Sequence, residues 1–119
     1  MGMCKEKKME QGTFVLCVSN AYEKKYYLNE ELEGLPTSIK DELKIMCVLF
    51  SEEIGGILKL EFSEEGELNL VTEADEEDLL YDEIGSALKI KEIQKEKQEL
   101  LESLELFYKI FYLGITDEE

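Results

Sequence analysis

Apolar residues recur along this chain in two rhythms, every second position in some stretches and every third or fourth in others, and the changes of rhythm mark its elements. Thr13 to Val18 (TFVLCV) is an unbroken apolar and β-branched run of strand length. It predicts a strand that is central in the sheet and covered on both faces. Asn20 and Ala21 mark a turn, and Lys24 to Asn29, with Tyr26, Tyr27 and Leu28, reads as the returning strand of a hairpin. A helix beginning at Asn20, with Glu23 completing a capping box, is the competing reading. After a polar loop, Pro36-Thr37-Ser38 supplies a helix start with Ser38 as N-cap, and the helix runs from about Ser38 to Glu53. Ile39, Leu43, Met46, Cys47 and Phe50 form its stripe, while Ile45, Val48 and Leu49 add apolar surface on other sides. A helix of that kind is expected to need cover twice, from the sheet and from the C-terminal helix or a second subunit. Gly55-Gly56 stops it; Ile57 to Phe62 then alternates as a half-buried strand, Ser63 to Gly66 turns, and Glu67 to Ala74 returns.

From about Asp78 to Leu113 the composition is helical, and the sequence leaves open whether the helix is broken at Gly85-Ser86. From Ile90 onward a three-four stripe runs through Ile93, Lys97, Leu100, Leu104, Phe107 and Phe111, interrupted only by Lys97. As one straight helix, Ser86 to Leu113 would span roughly 40 Å, longer than a small domain is wide, so part of it should overhang and meet a partner or its own copy. The pattern predicts one α+β domain over residues 13–114. It has an antiparallel sheet from two β-hairpins in ββαββα order, packed by a middle helix and a long C-terminal helix. Residues 1–12 are expected to be a disordered tail and residues 115–119 an acidic one.

Composition changes the functional picture more than any motif does. The 119 residues include no histidine and no arginine, and 29 acids against 13 basic residues give a net charge of −16. The usual neutral-pH base, the imidazole metal ligand and the bidentate clamp for phosphate or carboxylate are therefore missing. No catalytic residue, cofactor or metal site is expected, and the protein reads as not an enzyme. The acid excess disfavours nucleic-acid and anionic membrane partners. Cys4, Cys17 and Cys47 show no CxxC spacing and leave an odd one over, which fits a reducing cytoplasm better than a disulfide framework. No signal-peptide pattern and no run of about 20 apolar residues is present, so the expected location is cytoplasmic.

Several clusters carry possible chemistry. Between Lys59 and Lys89 lie eleven acids and no base, but their spacing does not match a calcium loop, and the expected role is a solvated acidic edge. Lys89, Lys91, Lys95 and Lys97 alternate with glutamates in the manner of an exposed helix face. Ser86 and Lys89 satisfy S-x-x-K by accident, because the companion motifs of acyl-enzymes are absent. Tyr22, Tyr26 and Tyr27 around Lys24 and Lys25 form a tyrosine-rich candidate interface. The stripe through Leu100, Leu104, Phe107 and Phe111 forms another, and it favours a homodimer. The leading expectation is a protein-protein interaction module that homodimerises. The alternative is an acidic nucleic-acid mimic or chaperone-like binder of a basic partner, and an enzyme of unknown type is third.

The runs Asn20-Ala-Tyr-Glu-Lys-Lys-Tyr-Tyr-Leu-Asn29, Ile39-Lys-Asp-Glu-Leu-Lys-Ile-Met-Cys-Val-Leu-Phe50, Gly55-Gly-Ile-Leu58 and Tyr81-Asp-Glu-Ile-Gly-Ser86 resemble a family of small acidic proteins of unknown function. Its members come from anaerobic, clostridium-like Gram-positive bacteria. The resemblance spans most of residues 13 to 114 and implies a bacterial cytoplasmic setting. It brings no activity, ligand or catalytic residue.

Overall fold

The computed structural model describes residues 14–32, 34–111 and 114. The two tails expected at residues 1–12 and 115–119 lie outside the described residues. The elements are β1 (Phe14–Asn20), β2 (Lys25–Leu28), α1 (Thr37–Glu53), β3 (Ile57–Phe62), β4 (Leu68–Glu73), α2 (Glu83–Glu96) and α3 (Gln98–Phe111). The class is α+β, with four antiparallel strands in the order β2-β1-β3-β4. The element order is β-β-α-β-β-α-α, so the single long C-terminal helix of the sequence reading is replaced by two helices.

β1 is central, as its composition suggested, but its unbroken apolar run has another origin than cover on both faces. The pairing with β3 shifts register between Val15 and Cys17, a bulge that inserts Leu16 as an extra residue. Leu16 and Cys17 are consecutive and both fully buried, whereas Val15 and Val18 are only half-buried. Cys17 stands opposite Leu60 and Leu28, and Leu60 opposite Leu70, so one face of the sheet is lined with core residues. α1 meets that face through Cys17 and Cys47, whose sulfurs lie 3.8 Å apart, and through Ser19 and Ser51, whose hydroxyls hydrogen-bond at 2.6 Å. α3 meets the same face at the other end, where Tyr108 stacks on Phe62 with centroids 4.0 Å apart and rings 2° from parallel. The opposite face carries Val15, Val18, Lys59, Glu61 and Val71.

α1 begins one residue before the expected start. Pro36, extended at φ −62° and ψ 148°, takes the capping position without a side-chain bond, and its carbonyl accepts the N–H groups of Ile39 and Lys40. The fixed φ of proline suits this entry. Leu43, Met46, Cys47 and Phe50 are buried as the stripe predicts. Ile45 and Leu49 are more than half exposed, so the second cover expected for this helix is not supplied by the C-terminal helices. The reason is lateral packing: α2 lies beside α1, joined by Lys89 to Glu53 at 3.1 Å and Lys97 to Glu42 at 3.2 Å.

The helix is unbroken at Gly85-Ser86, the question the sequence left open, and bends at Lys97, the residue that interrupts the apolar stripe. Asp82 caps α2 and its carboxylate accepts the Gly85 N–H at 2.9 Å, so Gly85 belongs to the first turn. At Lys97 the backbone turns to φ −108° and ψ 25°, yet Lys97 N–H still reaches the Ile93 carbonyl and Leu101 N–H the Lys97 carbonyl. This is a bend in a continuing hydrogen-bond ladder rather than a loop. It lets Ile93 on one side and Leu100, Leu101 and Leu104 on the other reach a common core. Among the described residues, no helix is long and apolar enough to cross a membrane.

Gly55 and Gly56 close α1 with φ of 90° and 70°. At Gly56 an added Cβ would lie 2.6 Å from the Tyr81 ring and 2.7 Å from the Glu73 carbonyl oxygen. Gly56→Ala is therefore expected to lower the unfolding free energy in a urea titration by about 1–3 kcal/mol, from left-handed backbone strain and from the contact. A change within about 0.5 kcal/mol, the usual range for an inert surface substitution, would show that the turn relaxes freely.

Candidate functional site

The turn between β1 and β2 follows from local chemistry. Asn20 accepts the N–H groups of Tyr22 and Glu23 at 2.9 and 3.1 Å, and Lys24 takes φ 56°. The asparagine that would have capped a helix instead closes a tight turn, which decides for the hairpin. Between this hairpin and α1 lies a cleft with a cavity volume of about 580 Å³. Lys24 and Lys25 of the hairpin and Lys44 of α1 converge on it, with Glu52 also on its lining. Among the described residues, none of the three lysines has a carboxylate within ion-pair distance.

Ser19, Ser51 and Tyr26 supply the polar lining. The Tyr26 hydroxyl is buried and has no hydrogen-bond partner of ordinary geometry, although it faces the Cys17 sulfur. Burial, followed by the neighbouring thiols, pushes its pKa up, so it is present as a donor. The Cys47 thiol is held protonated first by its contact with Cys17 and then by burial. Two fully buried thiols of this kind pack as small apolar groups rather than react.

The residues picked out in the sequence separate into different roles. Tyr22 ties the hairpin turn to the acidic loop: its hydroxyl donates to Asp78 Oδ2 at 2.6 Å and accepts the Asp75 N–H at 2.9 Å. Tyr26 lines the cleft, and Tyr27 is exposed. Leu100 and Leu104 are buried within this chain's own core, so a partner could reach them only by opening the fold. Phe107 packs on that core and against Phe111, whose own ring stays largely exposed.

Of the four lysines in the basic stretch, Lys89 and Lys97 bind α1 acids, and Lys91 and Lys95 have no ion-pair partner among the described residues. Hydrogen bonding to Glu53 raises the Lys89 pKa. Ser86 is buried and accepts the Tyr81 hydroxyl at 2.7 Å while Lys89 turns to Glu53, so the S-x-x-K pair has separate structural partners. Among the described residues, no three Cys, Asp or Glu side chains come together as metal ligands would.

A different surface stands out by exposure. Leu79 is 89% exposed, Leu80 93%, Ile84 75% and Leu88 62%. Ile84 and Leu88 are spaced four apart on α2, whose other side turns Ser86 and Ile93 to the interior, and Leu79 and Leu80 lie in the turn just before it. Lone exposed aliphatics are ordinary, but four within ten residues, two of them on one face of α2 and two in its lead-in, are not. Sequence reasoning missed them because the stripe from Ile90 onward is stronger. It also missed Lys44, whose approach to Lys24 and Lys25 depends on how α1 crosses the sheet.

Residues 13–116 match the family of unknown function DUF6145. The chain belongs to this family. No curated protein and no solved structure matches it. The match covers the whole sheet and all three helices, so the cleft and the exposed aliphatic surface both lie within the family domain.

Leu104→Ala is expected to destabilise the fold by about 2–5 kcal/mol, the range for emptying a buried leucine site. The difference between variant and parent in urea melts should stay the same at every protein concentration; a difference that changes with concentration would place Leu104 at an interface instead. Tyr22→Phe tests the hairpin tie. The Tyr22 pKa is raised above 10.0, first by the bond to Asp78, so its stabilisation is complete below that pH and is lost as pH climbs through the folded value. The variant should be less stable than the parent at neutral pH, with the gap closing in alkaline urea titrations. An unchanging gap would mean that ionisation of this hydroxyl is not linked to folding.

Proposed function

We propose that this protein is a non-catalytic protein-interaction module that pairs with a second copy of itself through the outer face of α2 and its lead-in. The observation that supports the reading is the exposure of Leu79, Leu80, Ile84 and Leu88 on an otherwise strongly acidic chain. A two-fold arrangement of this helix against its copy, running antiparallel, would bring Asp82 and Glu83 at its start toward Lys91 and Lys95 near its end. Those two lysines have no ion-pair partner among the described residues. A cytoplasmic setting in a clostridium-like bacterium belongs to the same reading, supported by the sequence resemblance and by two free buried thiols.

Self-association of a chain with net charge −16 is opposed by like-charge repulsion. An apolar interface therefore strengthens as salt screens that repulsion. In light scattering at micromolar concentration, raising sodium chloride from about 0.05 M to about 0.5 M is expected to favour the dimer. The double substitution Ile84→Glu, Leu88→Glu should leave a folded monomer whose cooperative melt no longer shifts with protein concentration, because both side chains are exposed in the single chain. A monomeric parent at high salt would remove the proposal. Capture of a basic protein that salt releases would favour the acidic-mimic alternative instead.

A further inference from the structure

We propose that the cleft between α1 and the β1–β2 hairpin is a binding site for a small phosphomonoester, its phosphate held by Lys24, Lys25 and Lys44. This goes beyond self-association and uses the flank of α1 opposite the one that meets α2. Lys44, Val48 and Ser51 share the cleft flank, whereas Glu42 and Glu53 point to α2.

Three observations converge. The first is charge. The chain has 29 acids for 13 basic residues, yet the three lysines of this cavity have no ion-pair partner among the described residues. In so acidic a chain, three lysines without ion-pair partners on the lining of one cavity mark a place where an outside anion meets attraction against the general repulsion. With Glu52 as the acid of the lining, the cleft carries a local charge of 3 − 1 = +2. That matches the charge of about −1.5 to −2 on a phosphomonoester at neutral pH better than a single carboxylate.

The second is hydrogen bonding. Tyr26 brings a buried hydroxyl that finds no acceptor inside the protein. An unpaired buried donor is costly, and a bound oxyanion would satisfy it. Ser19 and Ser51 bond to each other, so one of the two keeps a proton to offer outward. Lysine serves phosphate as a mobile point charge, so the missing arginine does not count against such a site.

The third is shape. The cavity volume of about 580 Å³ lies within the roughly 300–1,000 Å³ of small-molecule pockets. Val48, Ala21 and the Tyr26 ring add an apolar wall for the body that carries the phosphate.

Calorimetry on the full chain with phenyl phosphate, and with benzoate at matched ionic strength, tests the proposal. Saturable binding of phenyl phosphate and weaker binding of benzoate are expected. Lys25→Gln with Lys44→Gln should weaken phenyl phosphate at least about tenfold while preserving the melt, since neither lysine holds an ion pair. Lys24 is kept because it forms the turn. Tyr26→Phe should melt no lower than the parent without ligand and should bind more weakly, a combination that a purely structural hydroxyl would not give. Absence of saturable binding at millimolar phenyl phosphate overturns the proposal. So does affinity that survives the double lysine substitution, and benzoate binding as tightly as phenyl phosphate overturns the assignment to phosphate.

Discussion

The stacking of Tyr108 on Phe62 constrains everything that follows β4. Phe62 ends β3 on the core face of the sheet, and the ring contact fixes α3 at that end, with Phe14 packed against the same tyrosine. Glu105 strengthens the placement by accepting the Leu68 N–H at the start of β4, and Lys109 lies over Gly66 in the hairpin. A straight continuation of α2 could not reach this position while also burying Ile93 beside α1. The ladder bends at Lys97, where the apolar stripe already has a gap. Two helices arranged in this way gather toward β3 and β4 and the Phe14 end of β1, and leave α1 alone over β2 and the Asn20 end of β1. The open cleft is a consequence of that asymmetry, as is the exposed outer face of α2.

Lysines divide along the same line. On the α1–α2 side, Lys89 and Lys97 are tied to Glu53 and Glu42, and they join two helices that would otherwise meet through few apolar contacts. Both pairs are partly exposed, so each contributes modestly, and their role is to orient rather than to stabilise strongly. On the cleft side, Lys24, Lys25 and Lys44 line one cavity, and among the described residues none of them forms an ion pair. Glu52 is the one carboxylate on that lining, and it lies beyond ion-pair distance of all three lysines. The contrast between ion-paired lysines at one flank of α1 and lysines outside any ion pair at the other separates structural charge from charge available to a ligand.

Much of the fold was legible because its strands and α1 carry one rhythm each. Ile57 to Phe62 alternates and is a strand of those bounds; Leu43, Met46, Cys47 and Phe50 are a helical stripe and are buried. The errors have physical causes. The unbroken run in β1 suggested cover on both faces, but a bulge places Leu16 and Cys17 on one side, and residue type alone does not reveal a bulge. Propensity left open a break of the C-terminal helix at Gly85, whereas Asp82 makes Gly85 part of a cap and the bend falls at Lys97. Functional surfaces were less legible still. Leu100 and Leu104 look identical in sequence whether they face a core or a partner, and only the docking of α3 assigns them. Lys44 lies about twenty residues from Lys24 and Lys25, and nothing in its neighbourhood marks the approach.

The two proposed surfaces lie on opposite sides of one rigid element, and this limits how they can influence each other. α1 is held to the sheet by Leu43, Cys47 and Phe50, all fully buried, so neither flank moves without disturbing the core. A phosphate in the cleft would act on α2 mainly through charge, by reducing the local positive field, and water between the sites screens that effect within about 10 Å. Stronger coupling would need a second arrangement of α1, and the close contacts at Cys17–Cys47 and Ser19–Ser51 give no room for one. Self-association and anion binding are thus expected to be energetically separate properties of the domain, one set by exposed aliphatic area and the other by lysine charge.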